Sequence, residues 1–72
     1  MYFKTKNIIA KDPNFEVMKQ MTEFYKVYMF TDKSNCEILK AFDTETEAQN
    51  FLNEIAKEIL YADKIVYLDK LI

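Results

Sequence analysis

The stretch "FDTETEAQNFLNEIAKEILY", residues 42–61, decides the fold, because it carries the one long helical periodicity in the chain. Ala48, Phe51, Leu52, Ile55, Ala56, Ile59 and Leu60 recur at helical spacing as one apolar stripe, and Asn50, Asn53, Glu54, Lys57 and Glu58 fill the other side. The pattern predicts a helix over about 45–61. Burying each large member of the stripe stabilises the fold by roughly 1.5–3 kcal/mol before conformational entropy is set against it.

Asp43, Glu45 and Glu47 open this stretch, and three carboxylates so close could hold a cation, share a proton or start a helix. Thr44 followed three residues later by Glu47, directly before the stripe, is the capping-box spacing. The Thr hydroxyl accepts from the Glu47 N–H, and the Glu side chain can return to the Thr44 N–H. Glu45 falls in the first turn, where negative charge meets the positive end of the helix dipole. Asp43 is an alternative cap if the helix starts one residue earlier. A calcium loop needs more oxygen ligands at alternating positions and a Gly for its sharp turn, and the segment has neither. The acids are read as a cap, and no metal site is expected.

Working backwards, "EFYKVYMFTD" and "NCEILKAFD" are rich in aromatic and β-branched residues and are separated by "TDKSN", which predicts a hairpin. The chain has no Gly, so Asp32 or Asn35 is expected to take the left-handed position of that hairpin turn. The second strand alternates, with Cys36, Ile38, Lys40 and Phe42 on one side and Glu37, Leu39 and Ala41 on the other. In the first strand Phe24, Tyr28 and Phe30 share one face, and Tyr25, Val27 and Met29 fill the opposite one. A strand apolar on both faces needs cover on both.

After the helix, "YADK" turns the chain and "IVYLDKLI" predicts a final strand over about 65–72, also apolar on both faces. "YFKTKNIIA" reads as a first strand. Residues 12–22 admit two readings. Asp12 as N-cap with Pro13 at the first helical position favours a short helix, whereas Phe15 and Val17, followed by Lys19 and Met21, alternate like a strand. The helix is the preferred reading. The expected architecture is α+β in a single domain, 1–72: a small antiparallel sheet with one long helix packed on one face. The other face would stay open for a partner or a second copy, unless residues 12–22 fold over it.

Composition narrows the chemistry. The 72 residues are 50% apolar and 15% aromatic, which argues for a packed globule with apolar surface to spare. All 10 basic residues are Lys, they are interleaved with 12 acids, and the net charge is −2. Without the guanidinium fork or a basic patch, nucleic-acid binding is disfavoured. The absence of His removes the partner that would activate Cys36 or Ser34, together with the commonest metal ligand. The absence of Gly removes phosphate-cradling loops. Enzymatic activity, cofactors and metals are therefore not expected. Cys36, as the lone thiol at a strand start, is expected to be a small buried residue in a reducing cytoplasm. No long apolar run suggests a signal peptide or membrane span.

The run "YKVYMFTDKSNCEILKAFDTETEAQNFLNEIAKEI" resembles a recurrent type of very small β-hairpin-plus-helix protein in low-GC bacteria and their phages. Phe42, Asp43, Thr44, Glu47, Ala48, Phe51 and Leu52 carry the resemblance. Phage-borne members resemble, in size and acidity, short inhibitors of host defence such as anti-CRISPR proteins. The resemblance implies the hairpin and helix, and no functional residue comes with it. The functional expectation is a cytoplasmic protein-binding module, such as an inhibitor of a host protein, that also forms a homodimer. Its interface is expected at Tyr25, Tyr28, Phe30 and Tyr67 on the open sheet face. The alternatives are a nucleic-acid-associated regulator using the same aromatics with Lys26 and Lys40, and a structural subunit of a larger assembly.

Overall fold

The computed structural model describes residues 1–19, 23–31 and 35–72. The helix α1 spans Glu45–Tyr61 and begins as the sequence predicts: the Glu47 N–H donates to Thr44 Oγ1 at 3.2 Å. Only that half of the capping box is made among the described residues. At the other end the Ala62 N–H donates to the Glu58 carbonyl at 2.9 Å, and the chain leaves in an extended conformation without any glycine.

The fold is α+β, and the strands among the described residues divide into two three-stranded sheets. The first contains β1 (Tyr2–Lys4), β2 (Ile9–Lys11) and β6 (Ile65–Tyr67), in the order β2-β1-β6. Here β2 is antiparallel to β1 and β6 is parallel to it. The second contains β3 (Asn14–Met18), β4 (Tyr25–Phe30) and β5 (Cys36–Phe42), all antiparallel, in the order β3-β4-β5. The hairpin over 25–42 and the helix over 45–61 are as expected.

Three expectations are corrected. The segment from 12 forms an edge strand over Asn14–Met18 instead of a short helix; the rest of that expected helix, 20–22, lies outside the described residues. Pairing decides this: Phe15 and Val17 sit opposite Met29 and Val27 and join the core, which a helical phase would not allow. The final strand ends at Tyr67 and is followed by a 3₁₀ turn, Leu68–Lys70, because turning there buries Leu68 completely. The predicted first strand folds back on itself as the β1–β2 hairpin. Among the described residues the left-handed position is Asp12, with φ of 47°, at the corner between the two sheets; the position expected at Asp32 or Asn35 belongs to the hairpin turn through 32–34, which lies outside the described residues. Asp tolerates this region better than most residues.

Without Gly, the β1–β2 turn is built from a side chain. Thr5 Oγ1 accepts the N–H groups of Asn7 at 3.1 Å and Ile8 at 3.2 Å, and donates to the Glu37 carboxylate at 2.9 Å. Asn7 Nδ2 donates to the same carboxylate at 3.0 Å. Thr5 is buried, and these bonds satisfy its hydroxyl together with two backbone donors of the turn. The network ties the first hairpin to β5 of the second sheet.

The β4–β5 register holds a further correction. Val27 pairs with Lys40 but Tyr28 pairs with Ile38, so Leu39 is an extra residue, a β-bulge. The bulge breaks the expected alternation. Phe42 lies opposite Tyr25 and Glu37 opposite Met29, which puts both on the face that carries Val27 and Met29. Between these two sheets and α1 sits one core of Phe3, Ala10, Val27, Met29, Leu39, Ala48, Phe51, Ile55, Val66 and Leu68. The Phe42 and Phe51 rings meet across it at 5.5 Å, as do those of Phe3 and Phe15 at 5.2 Å.

Candidate interaction surfaces

The four residues expected to share an open face do not share one. Tyr25 lies on the core side of β4, half-buried, with Lys19 Nζ 5.0 Å from its ring centroid. Tyr28 and Phe30 point to the opposite side of the second sheet, where their rings stack at 5.9 Å. Tyr28 is only 8% exposed, so the expectation that it stands free is corrected. Its buried position follows from the central strand, whose neighbours on both sides carry long side chains. Tyr67 lies on the other sheet and is exposed.

Tyr67 has company that the sequence reading missed. Register in the first sheet aligns Lys11, Tyr2 and Ile65 in one row and Ile9, Lys4 and Tyr67 in the next. Between these rows Phe3, Ala10 and Val66 point inward and are buried. The six flanking side chains form the outer face. Tyr2 is 44% exposed, Ile9 59%, Ile65 36% and Tyr67 54%. The signal was present in the alternation of "YFK" and "IAK", which is readable only once β1, β2 and β6 are known to be neighbours.

Two smaller apolar surfaces remain. The helical stripe is buried only through Ile55; Ala56, Ile59 and Leu60, expected to face the core, are exposed together with Tyr61. The helix outruns the sheet beneath it, so its last turns project past the core. On the second sheet, Ile38 and Cys36 are exposed on the same side as Tyr28 and Phe30. Cys36 was expected to be buried. Its place at the open end of edge strand β5 gives it no covering neighbour among the described residues.

A cleft of about 450 Å³ opens where the sheets meet, lined by Thr5, Lys6, Asn7, Glu37, Ile38, Leu39, Asp69 and Ile72. Its central carboxylate, Glu37, already accepts bonds from Thr5 and Asn7, so it serves the junction between the sheets. No group of three or more metal-ligating side chains occurs among the described residues. No helix among the described residues is long and apolar enough to cross a membrane. Comparison of the chain with protein-family models, curated proteins and solved structures found no match.

Proposed function

We propose that this chain is a non-enzymatic protein-binding module that engages its partner through the outer face of the first sheet. One observation carries the reading: Tyr2, Ile9, Ile65 and Tyr67 stand exposed in two adjacent rows on a face that no described element covers. Burying such side chains against a partner removes apolar area from water, and Tyr adds a polar tip able to bond at the rim. Of the four residues expected at the interface, Tyr67 belongs to this face. Tyr28 and Phe30 would serve a second contact around Ile38, suited to a homodimer because Lys26 and Glu16 share that side and can complement one another across a two-fold axis. The resemblance to small phage proteins favours a host protein as partner and inhibition as the outcome. A reducing cytoplasm suits the free, exposed Cys36.

Co-purification from the native host tests the interface. A partner retained by the wild-type chain and lost by Tyr2→Thr/Ile9→Thr/Tyr67→Thr, which keeps β-branched residues in the strands, supports it. Equal recovery by both proteins would exclude this face. Sedimentation at micromolar concentration tests the dimer: a monomer unaffected by Ile38→Asp would remove that part of the reading.

A further inference from the structure

The partner-facing surface is charged as well as apolar. Lys4 and Lys11 stand among the four apolar side chains of the outer face, and no carboxylate shares those two rows. Neither lysine joins an ion pair among the described residues, whose ion pairs use Lys57, Lys70 and the Met1 amino group. Among the described residues Lys4 Nζ donates only to the Thr5 carbonyl, at 3.3 Å. Asp12, the acid next in sequence to Lys11, is taken by the Met1 amino group at 3.0 Å. The face is therefore a local positive site on a chain whose net charge is −2.

Resting on the protein-binding reading above, we infer that the occupant of this face is an acidic protein segment with apolar anchors. Its anchors would cover Tyr2, Ile9, Ile65 and Tyr67, and its carboxylates would meet Lys4 and Lys11. A covered lysine without a counter-charge is penalised by desolvation, so the partner that buries this face must bring negative charge to it. A basic partner would place like charges together. A second copy docking face to face would do the same, since each copy presents the same two lysines. Nucleic acid also carries negative charge, and Tyr2 and Tyr67 offer rings for a base, but two lysines are few for a phosphate track, and Ile9 and Ile65 offer no plane to stack on. An acidic, apolar peptide matches both halves of the surface.

The test needs no knowledge of the natural partner. A displayed random dodecapeptide library is selected against the immobilised full chain, and the recovered peptides are synthesised and titrated by fluorescence anisotropy. The titrations use wild type, Lys4→Glu/Lys11→Glu, the milder Lys4→Gln/Lys11→Gln, and Ile9→Thr/Tyr67→Thr, each checked for folding by circular dichroism. Peptides rich in Asp and Glu beside aromatic or aliphatic residues are expected. They should lose at least about tenfold in affinity on charge reversal and on Ile9→Thr/Tyr67→Thr, less on neutralisation, and should weaken with salt. Peptides that need Ile9 and Tyr67 but are neutral or basic, and indifferent to Lys4 and Lys11, would overturn the acidic partner and leave the binding face standing. Peptides indifferent to both pairs, or no binders at all, would overturn the binding face itself. Tighter retention of oligothymidine than of any selected peptide, lost in the same variants, would replace the protein partner by nucleic acid.

Discussion

Along β4 of the second sheet, Val27, Tyr28 and Met29 are buried one after another, whereas along β6 of the first sheet Val66 is buried between exposed Ile65 and Tyr67. Both strands are apolar at every one of these positions. The difference comes from their neighbours. The central strand β4 has a partner on each side, α1 over one face, and the Tyr28–Phe30 stack on the other. The edge strand β6 has a partner on one side only, and nothing described lies over its outer face. An apolar strand thus reports either a core or an interface, and topology decides which.

Breaking the covered side should have the largest effect. Phe51 holds the helix to the second sheet, and Phe51→Ala should destabilise the chain by about 3–5 kcal/mol in urea unfolding. For a domain this small, that is most of the stability. A loss below about 1 kcal/mol would mean that the helix is not held by this contact. Next comes the junction between the sheets. Thr5→Val strands the Asn7 and Ile8 N–H groups and should cost about 1–3 kcal/mol. Hydrogen exchange should accelerate first at the amides of Asn7 and Ile8 and across β1–β2, ahead of β4; uniform acceleration would show that the sheets unfold as one unit.

A smaller effect is expected at the helix start. Thr44→Ala removes the bond to the Glu47 N–H and should cost about 1 kcal/mol, read as a lower urea midpoint. Partner binding by the folded fraction should be unchanged, because the cap lies outside the proposed interface. Smallest of all is Tyr67→Thr, expected within about 0.5 kcal/mol of wild type because its ring already stands in water.

How much of this was visible in the residues follows the same division. The helix and its cap were legible because a 3.6-residue stripe and the Thr44–Glu47 spacing are both local signals. The central hairpin was legible from composition. The edge strand at Asn14–Met18 was obscured by Asp12-Pro13, which starts helices equally well and here turns a corner. The β1–β2 hairpin was hidden because a Thr hydroxyl replaces the Gly or Asn that usually marks such a turn. The bulge at Leu39 had no sequence mark, and it shifted the phase of the β5 alternation. Tyr25, Tyr28, Phe30 and Tyr67 do not share a face for two reasons: alternation along β4 puts Tyr25 on the core side and Tyr28 and Phe30 on the other, and Tyr67 belongs to the first sheet. Tyr2, Ile9 and Ile65 became candidates only through pairing between segments more than fifty residues apart in the case of β1 and β6.

The central claim is that the outer face of the first sheet is free of any duty in folding. Equilibrium urea unfolding of Tyr2→Thr/Ile9→Thr/Tyr67→Thr beside wild type tests it most directly. The prediction is a triple variant within about 1.5 kcal/mol of wild type, with an unchanged slope. A loss of several kcal/mol, approaching that of Phe51→Ala, would mean that this face is buried within the fold and is not available to a partner.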